Sequence, residues 1–249
     1  MQEITSRKNP LVQHLKKLGA DKAYRESCGE FLCDGIKLYE EAVKFGARIT
    51  IFATSDRNRT NISAEETILL PQDVLASISP QKSPQTVLFS CNMPEQKPAQ
   101  APKTALILDG TQDPGNLGTL IRTASAFSVD QVILTGETAD RYHPKTVRST
   151  MGAIFYQHIM PMSVDEIYNY VNQNGLHLYG AALGKDTVVA GEDLPTKTAI
   201  AIGSEGQGLS QELLHICHST IQIPMSDAVE SLNAAIAGAI LMWELCRGK

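Results

Sequence analysis

Short runs dominated by apolar residues recur through the C-terminal part of the chain, at Ala105–Leu108, Gln131–Leu134, His177–Ala182, Ala199–Ile202 and Thr220–Ile223. Between and after them, apolar residues fall at helical spacing over 117–127, 144–151, 164–173, 210–217 and 231–246. A strand with no polar alternation is buried on both faces, so this pattern predicts an α/β fold, a parallel sheet sandwiched by helices. The first ninety residues mix the two periods. Asn9 or Pro10 opens a helix through Lys17 with Gly19 as its stop. Asp34 caps a second helix that buries Leu38, Ala42, Val43 and Phe45 and ends at Gly46. Arg48–Ala53 and Gln85–Phe89 read as strands, and residues 55–66 as a polar surface loop.

Residues 91–103, CNMPEQKPAQAPK, hold three prolines and few bulky apolar side chains, which predicts an extended linker between domains over 1–90 and 104–249. At 249 residues, 43% hydrophobic and 20% charged, the chain can bury a core, which excludes disordered and fibrous classes. The net charge of −5 excludes a bulk-basic coat, so any nucleic-acid surface is a local patch. Residues 1–25 supply one: Arg7, Lys8, Lys16, Lys17, Lys22 and Arg25 face only Glu3 and Asp21. Five cysteines without a CxxC pair fit a reduced compartment. The apolar run Ala234–Trp243 is far shorter than the ~20 residues of a membrane span, and the charged N-terminus has no apolar run behind it. A soluble cytoplasmic protein is expected.

In open parallel sheets ligands bind at the carboxyl ends of the strands, and three such loops cluster glycine with short polar residues. Asp109–Gly118 follows the first run and leads into a helix carrying Arg122, Gly203–Ser210 follows the fourth, and Pro224–Asn233 follows the fifth. Taken singly, each could be a tight connection. Gly203, Gly206 and Gly208 do not make the dinucleotide fingerprint, because Glu205 takes the second glycine's place. There is no GxxxxGK[ST], HExxH or GxSxG. His215, Cys217 and His218 do not share one helix face, so no metal is expected, and Met242 and Trp243 read as core.

Taken together and in order, Asn116-x-Gly118-x-x-x-Arg122, then Gly203-Ser204-Glu205-Gly206-x-Gly208-Leu209-Ser210, then Ile223-Pro224-Met225 followed by Glu230-Ser231-Leu232-Asn233 resemble the three motifs of the SpoU (TrmH) family of RNA 2′-O-ribose methyltransferases, in the SPOUT class. Arg148-Ser149-Thr150-Met151-Gly152 resembles the family's connecting stretch. Ser6–Pro10 and Phe31–Gly35 resemble its small N-terminal substrate-binding domain. The resemblance implies a C-terminal domain with a deep trefoil knot, a homodimer, and S-adenosylmethionine held at Gly203, Ile223 and Leu232, with Leu183 and Met225 nearby. It places Arg122, Asn116, Glu205, Ser231 and Asn233 at the functional polar positions, and Arg7, Lys8, Arg25 and Arg148 toward RNA phosphates. Departures are Ser128 and Asp227 where the family often has glycine, Ser149-Thr150, and Ala235 in place of a second serine. The implied function is methylation of ribosomal RNA. Transfer RNA as substrate, a non-catalytic RNA-binding assembly factor, and an ordinary doubly wound nucleotide enzyme remain open at this level.

Overall fold

The computed structural model describes residues 1–81, 84–95, 97–182, 187–226, 228 and 231–247. The chain divides into two compact units, Met1–Glu95 with Asp140–Tyr156, and Gln96–Ala139 with Gln157–Lys249.

The first unit begins with β1 (Gln2–Glu3) and the amphipathic α1 (Pro10–Ala20), where the Asn9 side chain accepts from Leu11 N and Pro10 presets φ. Gly19 does not stop this helix. It lies within the last turn, its backbone close against Leu32, and Asp21 both closes α1 and caps α2 (Lys22–Cys28). After β2 (Glu30–Asp34), α3 (Ile36–Lys44), β3 (Ile49–Thr54), β4 (Glu66–Leu69), α4 (Gln72–Ala76) and β5 (Val87–Asn92), the sheet order is β1-β4-β3-β5-β2. Val12, Leu15 and Leu18 of α1 pack on Leu32, Ala53, Ile68 and Leu88 of the sheet. Asp34 ends a strand instead of capping a helix, accepting Ser79 Oγ at 2.6 Å, and Gly35 at φ 109° takes the cap position. Leu38 and Ala42 are buried as expected, but Val43 and Phe45 are exposed. Cys91 and Asn92 belong to β5, so the proline-rich stretch starts inside the sheet.

The second unit runs β6 (Thr104–Asp109), α5 (Pro114–Ala126), β7 (Gln131–Thr135), then, after α6 (Pro144–Ser149) in the interval assigned to the first unit, β8 (Ile159–Pro161), α7 (Val164–Asn174), β9 (His177–Ala181), β10 (Thr187–Val189), β11 (Thr198–Ile202), α8 (Gln211–Ile216), β12 (Ser219–Gln222) and α9 (Ala234–Cys246). The strands form one sheet in the order β10-β12-β9-β11-β6-β7-β8, every pairing parallel. Ala105, Ile107, Ile133, Ala199 and Ala201 pack under Ile167, Tyr170 and Val171 of α7 and Leu213 of α8. α5 crosses α9 closely: a Cβ on Gly238 would stand 2.2 Å from Leu120 Cδ2. Parallel pairing sends the loops after β6, β11 and β12 off the same edge. Lys103 N and Thr104 N both donate to Asp130, and Ala99 N donates to Gln131 Oε1, so the end of the proline-rich stretch is tied down. Among the described residues no helix is long and apolar enough to cross a membrane.

Residues 140–156 read from sequence as part of the C-terminal domain, yet their contacts lie with the first unit. The Phe31 and Tyr142 rings pack at a tilt with centroids 4.8 Å apart, and Arg25 Nη2 meets Asp140 Oδ2 at 2.5 Å while its Nη1 donates to Leu18 O. Arg25 is thus not a phosphate ligand: it is 2% exposed, and its charge is spent inside the fold. Removing one partner of a buried pair typically costs about 3–5 kcal/mol, so Arg25→Ala is expected to lower the unfolding free energy by about 3 kcal/mol in urea titrations. An unchanged urea midpoint would show the pair to be idle.

Candidate active site at three strand ends

The first loop leaves β6 at Asp109, a buried carboxylate that accepts Ser210 N at 2.7 Å and so ties this loop to the end of the second. Sequence reading passed over Asp109, although a carboxylate ending an apolar strand was a signal that its charge is met there. Asp113 caps α5 by accepting Asn116 N at 2.9 Å, which fixes Asn116 in the first helical turn.

The second loop is a tight hairpin. Ser204 and Gly208 exchange two backbone hydrogen bonds of 3.0 Å, with Gly208 at φ 68°. Gly203 lies where any side chain would strike backbone, since its Cβ would fall 2.0–2.2 Å from Gly208 C, Gly208 O and Leu209 N. The hairpin holds Glu205 out over the sheet edge.

The third loop ends at Asn233, whose Oδ1 accepts Ala235 N and Ile236 N and so caps α9. The helix therefore starts at Ala234, three residues later than its spacing suggests, and Ser231 stays outside it as an exposed residue. With its oxygen used for capping, the amide nitrogen of Asn233 turns to Glu205.

One carboxylate oxygen joins the three loops. Glu205 Oε1 accepts Asn116 Nδ2 at 2.6 Å, Asn233 Nδ2 at 2.9 Å and Ala234 N at 3.4 Å, and Asn233 Nδ2 also lies 3.4 Å from Asn116 Oδ1. Hydrogen bonds to an ionised acceptor are roughly twice as strong as neutral ones, so this junction sets the loops' mutual positions. Beside it lies a cavity of about 290 Å³ lined by Thr111, Gln112, Asn116, Ser204, Glu205 and Gly206. The Thr111 hydroxyl is buried without a hydrogen-bond partner among the described residues.

Not every expected residue joins the cluster. Arg122 is exposed and makes no hydrogen bond or ion pair among the described residues; six residues beyond Asn116, it stands about 9 Å further along α5. Asn116 and Glu205 therefore hold each other and do not clamp Arg122. Gly203 and Ile223 follow β11 and β12, parallel strands with β9 between them, and Ile223 and Leu232 are half-buried, while Met225 is exposed. Leu183 lies outside the described residues. In the first unit Arg7, paired with Asp73 at 2.8 Å, and Lys8 and Arg148 are exposed. Ser128, where glycine was expected, takes φ 55°, the left-handed turn for which glycine is suited.

Among the described residues no group of three His, Cys, Asp or Glu is placed to hold a metal. His218 Nδ1 accepts Leu178 N at 3.0 Å, and the Cys217 thiol donates to Leu213 O, its pKa pushed up to about 11 by burial. Both groups are occupied with local structure. Met242 is buried, but Trp243 is 56% exposed, which corrects its reading as core.

The sequence model of the SpoU rRNA Methylase family matches residues 103–243, and that of the MRM3-like substrate binding domain matches 9–88. The chain is 34% identical to the 23S rRNA (guanosine(2553)-2'-O)-methyltransferase RlmP of Bacillus subtilis, over 98% of this chain and 99% of that protein. Among solved structures, an AdoMet-bound rRNA methyltransferase from Sinorhizobium meliloti superposes with a TM-score of 0.87 at 28% identity, covering 99% of this chain and 97% of that one. The SpoU methyltransferase AviRb from Streptomyces viridochromogenes, in complex with AdoMet, gives 0.86 at 26% identity, covering 96% and 98%.

Proposed function

The chain belongs to the SpoU rRNA methylase family, and from that premise we propose that it is an S-adenosylmethionine-dependent ribose 2′-O-methyltransferase acting on ribosomal RNA. The observation that carries this reading is the convergence of the three motif loops on Glu205 Oε1 at one sheet edge. An idle relic has no need to keep that junction. The likeness to ribosomal RNA enzymes also runs the length of both units, which favours this substrate over transfer RNA.

The strand ends suit the cofactor. Gly203 brings backbone close without a side chain, Ile223 and Leu232 offer half-buried apolar surface for an adenine, and the Thr111 hydroxyl is a buried group open to a new partner. When bound there, S-adenosylmethionine supplies an electrophilic sulfonium methyl.

Everything else falls to the chain's own residues. A 2′-hydroxyl is a weak nucleophile, so it must be oriented in line and relieved of its proton. Asn116 and Asn233, locked through Glu205, hold the rim of the cavity where the ribose enters, with Ser231 beside them. Arg122 keeps its charge at any working pH and does not serve as a base. Its exposed guanidinium grips the phosphate next to the target ribose and stabilises the developing alkoxide, and the proton leaves to that phosphate or to water. Arg122→Lys is expected to leave S-adenosylmethionine affinity within about twofold while kcat falls about 100-fold, because a point charge replaces a planar fork. Turnover near wild type would overturn this role.

A second copy of the chain completes the reading. α9 is apolar except for Glu244, yet Ile236 and Trp243 stand exposed on it, with Phe127 beside Trp243 at 5.9 Å. A helix of that composition is normally covered on all sides, and a homodimer through α9 supplies the cover. The trefoil knot and a cytoplasmic location belong to the same proposal.

A further inference from the structure

The first unit carries a second concavity that methyl transfer does not use. Two cavities, of about 570 and 610 Å³, meet at a shared wall made by Asp34 and Arg148. Both lie wholly within the first unit and within the size range of small-ligand sites. One lobe adds Pro80, Gln81, Pro144 and Lys145, and the other Ile36, Lys37, Gln85 and Met151. Each therefore combines apolar faces, one side-chain amide and one lysine, with a single exposed arginine standing between the two.

That arrangement sets two lobes of similar make-up on either side of one cation. Side-chain amides match the mixed donors and acceptors of base edges, prolines and methionine offer faces for a base, and a guanidinium fits a phosphate bidentately. Arg148 already donates to the Gln81 side-chain oxygen. Asp34 accepts from Ser79, and the Arg148 guanidinium on the same wall offsets its charge toward a phosphate. Glu40 and Glu41 line the second lobe and offer carboxylate oxygens, the acceptors that exocyclic amino groups require.

The surface continues beyond that lobe. Glu41 pairs with Lys44 at 3.5 Å, and Lys44 lies 5.0 Å over the ring of Phe45, which stacks on Tyr156 at 4.0 Å. Both rings are about half exposed to solvent, at 40% and 44%. Exposed aromatics beside a cation form a stacking platform for unpaired bases.

Resting on the RNA reading above, we propose that this double cleft is a single-stranded RNA subsite: two successive unpaired nucleotides sit one in each lobe, Arg148 holds the phosphate between them, and Phe45–Tyr156 stacks the next base. It selects the substrate by reading bases remote from the methylated ribose.

The test uses the full chain and fluorescently labelled ten-nucleotide RNA of random sequence, with a ten-base-pair RNA duplex as control. The double substitution Gln81→Ala and Arg148→Ala, and separately Phe45→Ala, are expected to weaken single-strand binding at least tenfold each. Duplex binding, S-adenosylmethionine binding and the melting temperature are expected to stay as in wild type. Ultraviolet crosslinks from the single strand are expected on residues 34–45, 80–85 or 143–156. Unchanged single-strand affinity, an equal loss for duplex, or crosslinks confined to residues 1–25 would overturn the subsite. Absence of methyl transfer by the wild-type chain would instead remove the activity while leaving these binding results to stand.

Discussion

Glu205→Ala is expected to cut methyl transfer at least about 100-fold while the fold survives, because the side chain is exposed but one of its oxygens serves donors from three loops. Removing it leaves Asn116 Nδ2 and Asn233 Nδ2 without their charged acceptor. Water can satisfy both at this exposed site, so the stability cost stays at about 1–2 kcal/mol. Alignment is what is lost, since among the described residues Glu205 is what ties the hairpin tip to both Asn116 of α5 and Asn233 at the start of α9. Glu205→Gln can keep an accepting oxygen in the Oε1 place, with its amide nitrogen where Oε2 stands, but it loses the charge that strengthens both asparagine contacts. An intermediate loss, nearer alanine than wild type, is expected. Single-turnover methyl transfer beside calorimetric melting separates the two effects. Alanine retaining a tenth or more of wild-type turnover would show that the junction is ornamental.

Gly203→Ala is expected to be worse, because it strikes backbone. The new Cβ would need space already held by Gly208 C, Gly208 O and Leu209 N at 2.0–2.2 Å, and none of these can rotate away as a side chain could. The hairpin would have to open, breaking the paired Ser204–Gly208 bonds and shifting buried Leu209 and the Ser210–Asp109 contact. Overpacking of this kind typically costs about 1–3 kcal/mol or more, and a loss at the top of that range is expected, with S-adenosylmethionine binding undetectable by calorimetry. Gly206→Ala is the control: nothing lies within 4 Å of its Cβ position, so its melting temperature is expected to match wild type. Equal stability of the two variants would contradict the steric reading.

The strands of the second unit were legible because a parallel sheet covered on both faces demands unbroken apolar runs such as Leu106–Leu108 and Ile200–Ile202. Strands β8 and β10 left no such trace: three residues each at the sheet margins, they are too short to show a period. In sequence Phe31–Cys33 reads as part of a motif and not as a strand, because the Asp34 carboxylate resembles a helix cap, whereas in the fold Ser79 satisfies that carboxylate. The motif residues could be picked from sequence because glycine, asparagine and glutamate crowded the strand ends. Their convergence on one oxygen could not, since Asn116 and Glu205 are 89 positions apart and only the folded sheet edge makes them neighbours. Arg25 shows the opposite failure. Basic neighbours made it look like part of a surface patch, whereas its partner Asp140 lies 115 positions away.

The most direct measurement is transfer of labelled methyl from S-adenosylmethionine to ribosomal RNA, offered both free and as isolated large subunits from cells lacking the gene, followed by digestion to nucleosides. The expected result is label in a single 2′-O-methylnucleoside, formed about 100-fold more slowly with Arg122→Lys and Glu205→Ala. Label on a base, or no label in either substrate from protein shown to bind S-adenosylmethionine, would contradict ribose methylation as the work of this site.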